Sequence, residues 1–148
     1  GGGILYRNAV ETGTWSFDVF ICEESRRTPE IWFIAKELGP DQYAGFIIII
    51  TQQPITVLEI TSLDGNEETL IDKVTVSEPD KLTGWHHIDI TRDDLDNVKI
   101  YFDSALISEF NEEFPYESEG FSFFVSCQGP ALDNLVVRNR VIDIQPPE

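Results

Sequence analysis

The sequence predicts an all-β domain built as two antiparallel sheets packed into a sandwich. Three observations carry that prediction. Apolar side chains recur at every second position in one segment after another, which is the period of a half-buried strand. The segments are short and separated by turn residues such as Gly39-Pro40, Asp64-Gly65-Asn66 and Pro79-Asp80. No stretch shows the 3.6-residue period of a helix, and no internal repeat is present.

The elements follow in order. In "TWSFDVFIC", Trp15, Phe17, Val19 and Ile21 share one face and Ser16 and Asp18 the other. In "PEIWFIAKEL", Ile31, Phe33 and Ala35 alternate with Trp32 and Ile34. "LGPDQYAG" reads as a loop. "FIIIITQQ" is apolar on both faces, so it belongs in the middle of a sheet. "ITVLEITSLDGN" is a strand that ends in a turn, and "TLIDKVTV" returns from it. In "GWHHIDIT", Ile88 and Ile90 face one way with His86, while His87, Asp89 and Thr91 face the other. A turn over Arg92 to Asn97 leads to Val98, Ile100 and Phe102 in the inward phase. "GFSFFVSC" and "ALDNLVVRNRVIDI" close the chain as further strands, giving about ten in all.

The 148 residues, 41% of them hydrophobic, suffice for one domain with a real core. That domain is expected over residues 4–144. Residues 1–3 read as a tag or linker remnant and 145–148 as the start of a C-terminal linker. The opening Gly1-Gly2-Gly3 and the absence of methionine suggest a processed product or an excised domain. The longest apolar run, Phe46 to Ile50, is far short of the roughly 20 residues that span a bilayer. Direct membrane insertion is therefore not expected. The net charge of −17 repels phosphate backbones, so nucleic acid is not an expected partner. Cys22 and Cys127 form no zinc-type spacing; they either pair across strands or remain buried thiols.

Three stretches carry a family resemblance. "GWHHIDITRDDLDNVKIYFDSALI" resembles the laminin-G-like signature, "ALDNLVV" is similar to the closing strand of concanavalin A-like lectins and glucanases, and "GTWSFDVFI" to their early strand. The resemblance implies a concanavalin A-like jelly roll. It also implies one domain of a larger secreted or surface-displayed protein, hence an extracellular or cell-surface location. Asp103-Ser104 stands where the family usually has Asp-Gly, so this hairpin is expected to turn differently. Trp85 matches the family's packing tryptophan. Asp133 occupies the place of an aspartate that often helps hold a structural Ca²⁺ in that family; calcium needs six to eight oxygen ligands, and the resemblance supplies one.

Catalysis is not expected. The Glu-x-Asp-x-Glu pattern of the related glucanases is absent, and "EFNEEF" has the wrong spacing. Retaining hydrolysis needs two carboxyl groups about 5–5.5 Å apart. The adjacent His86 and His87 point to opposite faces of a strand, so one metal cannot readily take both. Asp93, Asp94 and Asp96 look like turn chemistry. For a glycan, the candidate aromatic platforms are Trp32, Tyr43 and Tyr116, with Trp15 assigned to the core. The expected function is a non-catalytic binding or adhesion module for a glycan or protein ligand. It would act beside other domains of the same chain. The alternatives are a structural spacer or assembly domain and, more weakly, a glycoside hydrolase relative.

Overall fold

The computed structural model describes residues 4–7, 9–22, 29–52, 55–76, 82–124 and 132–146. These described residues form eleven strands. They are β1 (Ile4–Arg7), β2 (Gly13–Ile21), β3 (Glu30–Gly39), β4 (Gln42–Gln52), β5 (Thr56–Asp64) and β6 (Glu67–Thr75). Then come β7 (Gly84–Arg92), β8 (Asn97–Phe102), β9 (Ala105–Asn111), β10 (Gly120–Phe124) and β11 (Leu132–Arg138). A six-stranded sheet runs β1-β10-β3-β4-β5-β6 and a five-stranded sheet runs β11-β2-β7-β8-β9. All pairings are antiparallel. The chain visits the two layers in turn, leaving one hairpin run, β3 to β6, in the first and another, β7 to β9, in the second.

The predicted alternation builds the core. Trp15, Phe17, Val19, Ile21, Ile88, Ile90, Val98 and Ile100 from the five-stranded sheet are all 1% exposed or less. They meet Phe33, Phe46, Ile48, Ile50 and Leu58 from the other layer in one cluster. Aromatic edges lock the layers: Trp15 meets Phe33 at 5.6 Å and Phe17 meets Phe121 at 5.3 Å between centroids. Burying each such side chain contributes about 1.5–3 kcal/mol before entropy is counted. At one edge the layers are also tied by Ser108 Oγ, which donates to Asp72 Oδ2 at 2.6 Å.

The fold departs from simple alternation in four places. A register shift between Trp32 and Ile34 places Phe33 and Ile34 both in the core, as a bulge does. The predicted loop before Phe46 is a tight turn at Pro40-Asp41, and β4 already begins at Gln42. β11 ends at Arg138, short of the strand expected to Ile144. There Thr14 Oγ1 donates to Arg140 O and accepts from Ile142 N–H, so a side chain replaces the ladder. Gly13 permits this closure, since a Cβ there would lie 1.9 Å from Arg138 O. Finally, the β8–β9 hairpin turns through Asp103 (φ 47°) and Ser104 (φ 70°). Two positive φ values are what a two-residue hairpin of the primed type requires, here without glycine.

The aspartates after β7 serve the turn. Asp93 Oδ1 accepts from the N–H groups of Leu95 and Asn97 at 2.9 and 3.0 Å. The bonds from Asn97, its backbone first, hold the Asp93 carboxyl below the usual carboxylate range. Cys22 is disulfide-bonded; the other cysteine of the chain, Cys127, lies outside the described residues.

Candidate functional site

The alternation that fills the core also composes the outward face of the five-stranded sheet. With Phe17, Val19, Ile88 and Ile90 inward, Ser16, Asp18 and Phe20 of β2 and Trp85, His87 and Asp89 of β7 point out. The register then pairs Phe20 with Trp85, Asp18 with His87 and Ser16 with Asp89. Three cross-strand pairs thus stand in a row, one aromatic and two polar.

The aromatic pair meets edge to face, with centroids 5.4 Å apart at 72°. Trp85 nevertheless keeps 47% of its surface exposed. This corrects its assignment as a packing tryptophan: it shares the outward phase of His87, and among the described residues no second layer covers it.

The polar pairs form one network. His87 Nδ1 lies 2.7 Å from Asp18 Oδ1 and its Nε2 lies 3.1 Å from Asp89 Oδ1. A ring protonated at both nitrogens donates to both carboxylates at once, and this pair of contacts favours the imidazolium form. Desolvation opposes that charge, but the Asp18 hydrogen bond and the charge of Asp89 outweigh it. The His87 pKa therefore sits above the usual histidine value. Desolvation likewise works against the Asp18 carboxylate. Hydrogen bonds from Asn134 and His87 overcome it and hold Asp18 below its usual range. Asn134 Nδ2 donates to Asp18 Oδ2 at 2.7 Å, and Ser16 Oγ donates to Asp89 Oδ1 at 2.5 Å. Every member is thereby fixed in orientation.

His86 belongs to the other side. Its ring stacks on Phe102 at 5.2 Å and bonds Asp103 Oδ2 at 2.7 Å and Thr83 O at 3.0 Å. The two histidines thus serve separate environments. Among the described residues, no group of three or more His, Cys, Asp or Glu side chains is placed to hold a metal ion.

The residues singled out from the sequence are dispersed. Trp32 and Tyr43 come together on the outward face of the six-stranded sheet, edge to face at 6.2 Å. Trp32 lies over Gly45, where a Cβ would sit 2.9 Å from its ring. Tyr43 is 41% exposed. Tyr116 is elsewhere, packed on Phe114 and donating to Asp64 Oδ1 at 2.6 Å. Asp133 is exposed on β11, in register with Asp18, and its Oδ1 accepts the Asn134 N–H. The Trp85–His87–Asp18 grouping was not anticipated. Each outward phase is readable from its own strand, but the pairing of β2 with β7, across 69 positions at Asp18 and His87, is not.

No family model matches the chain, and neither does any curated protein sequence. Solved structures do. Galectin-Ib of Xenopus laevis matches with a TM-score of 0.66 at 13% identity, over 93% of this chain and 100% of that one. Chicken galectin 2 gives 0.61 at 11% identity, over 93% and 100%. The carbohydrate binding module CBM66 from Bacillus subtilis gives 0.59 at 15% identity, over 95% and 76%. At these identities the likeness speaks for the fold alone, a jelly-roll β-sandwich.

Proposed function

We propose that this chain is a non-catalytic carbohydrate-binding module and that the sugar stacks on Trp85, beside the Asp18–His87–Asn134 network. The observation that carries this reading is a half-exposed indole next to polar groups already fixed by one another. A pyranose offers a C–H face to an aromatic ring and hydroxyls to planar acceptors and donors around it. Groups held in place beforehand lose little freedom when the sugar arrives. The likeness to a carbohydrate binding module and to galectins supports the same class. The charge of −17 favours neutral sugars over sulphated or carboxylated ones.

The laminin-G-like assignment is the finer part of the proposal, supported by the Gly84-Trp85-His86 run and the β7–β8 hairpin that follows it. A place in a secreted or surface-displayed protein, beside other domains, rests on the same resemblance. The Trp32–Tyr43 ledge is the second reading for the platform, favoured by the exposure of Tyr43.

A glycan array followed by calorimetry on variants tests these readings. Trp85→Ala is expected to weaken a neutral-sugar hit about tenfold or more, with Tyr43→Ala near wild type. The reverse order would move the site to the ledge. An array without any specific neutral-sugar hit would leave the spacer or assembly reading in place. Calcium at Asp133 is tested by melting with and without EDTA, since a ligand held only by the folded form raises its stability. An unchanged melting temperature removes the metal.

A further inference from the structure

Trp85 stands on the end of β7 that lies beyond β8. β2 pairs with the whole of β7, from Gly84 to Arg92. On the other side, β8 pairs with it only from Ile88, opposite Phe102, to Arg92, opposite Val98. Gly84 enters the uncovered end at φ 86°, in the left-handed region that favours glycine. A strand end laddered on one side frays unless something else holds it.

The turn between β8 and β9 holds it. Asp103 N–H donates to His87 O at 2.8 Å. Asp103 Oδ1 accepts from the His87 N–H at 2.9 Å. The side chain thus supplies the acceptor that a longer β8 would have offered from its backbone. The second oxygen, Oδ2, lies 2.7 Å from His86 Nδ1, and His86 Nε2 lies 3.0 Å from Thr83 O. A carbonyl only accepts, so Nε2 carries a proton. The His86 ring is braced on Phe102, stacked at 5.2 Å and 19°. Thr83, His86 and His87 are thereby tied to one aspartate, and Trp85 lies within the span they define. Asp103 reaches them from a φ of 47°, a conformation that aspartate accepts better than most side chains.

Taking Trp85 as the sugar platform, we infer that Asp103 and His86 are positioning residues of that site. They act through the backbone that presents the indole. The polar network orders the site from its floor, and the Asp103–His86 bracket orders it from its edge. An indole already held when the sugar arrives loses less freedom on binding.

The test follows two readouts in wild type, Asp103→Ala, His86→Ala, Asp103→Asn and Val98→Ala. One is the NMR resonance of the Trp85 indole N–H, assigned with Trp85→Phe and recorded without sugar. The other is the calorimetric affinity for the methyl glycosides of β-galactose, β-glucose and α-mannose. Asp103→Ala and His86→Ala are expected to shift and broaden the indole resonance and to weaken a binding glycoside roughly three- to tenfold. Asp103→Asn keeps an acceptor for the His87 N–H and offers an N–H to His86 Nδ1, so both readouts should return to near wild type. Val98 is fully buried; Val98→Ala should lower the melting temperature and leave both readouts of the folded protein unchanged. Three results would overturn the inference: both alanine variants behaving as wild type, Asp103→Asn as impaired as Asp103→Ala, or Val98→Ala disturbing the indole equally. If the indole moves as expected while none of the glycosides binds wild type, the sugar reading fails and the positioning of Trp85 stands.

Discussion

The two outward faces of the sandwich are made from the same period-two strands, and they differ in what they do with the positions the core leaves over. On the six-stranded sheet the outward positions of β4 and β5 include Ile47, Val57 and Thr61, and these are buried to 8% exposure or less. Trp32 is laid flat over Gly45. On the five-stranded sheet the outward positions of β2 and β7 carry a bonded acid–imidazole–acid network, and Trp85 stands open beside it. The first face is closed by packing over its middle, with Tyr43 left open at its end, and the second is ordered by hydrogen bonds. Packing rigidifies a surface but leaves it few groups with which to discriminate. A satisfied polar network rigidifies it and keeps directional groups at the surface.

The sharpest way to break this contrast is Gly45→Ala. The new Cβ would lie 2.5 Å from Ile34 O and 2.9 Å from the Trp32 ring. A loss of about 2–3 kcal/mol in urea unfolding is expected, with a change in tryptophan fluorescence. An unchanged midpoint would show that the six-stranded face is not closed by that contact.

On the other face, His87→Ala is expected to cost about 1 kcal/mol, because it strips a partner from the buried Asp89 carboxylate. The cost should depend on pH. The raised His87 pKa means its contribution is full below the unfolded value, about 6.5, and is lost as pH rises through the higher folded value. The lowered Asp18 pKa means its contribution is full above about 3.9 and is lost as pH falls through the lower folded value. The network is therefore strongest between about pH 4 and 6.5. The gap in melting temperature between wild type and His87→Ala should narrow from pH 5.5 to pH 8.5. A gap that widened with pH would mean the imidazole is neutral in the folded protein.

The smallest expected effect is a gain. Ser104 adopts a φ of 70° that glycine accepts without steric cost. Ser104→Gly should stabilise the β8–β9 hairpin by about 0.5–1 kcal/mol, read as a rise in the urea midpoint. A fall would mean the serine is held by a contact that offsets its backbone strain.

Much of this architecture was legible beforehand. The inward sets of β2, β7 and β8 follow from alternation, and the turn chemistry of Asp93 follows from its place between two apolar runs. The misplaced parts share a cause. The bulge at Trp32–Ile34, the short β11 and the exposure of Trp85 all depend on what lies across from a residue, which no local pattern encodes. Local pattern likewise identified Trp32, Tyr43 and Tyr116 as available aromatics without saying that the first two meet and the third packs on Phe114.

By itself the sequence determined which side chains leave water, because a period of two allows a strand only one buried face. The tertiary structure decided which of the remaining side chains become neighbours. Asp18, His87, Asp89 and Asn134 share a site only because distant strands pair in one register, and that register is set by the whole core.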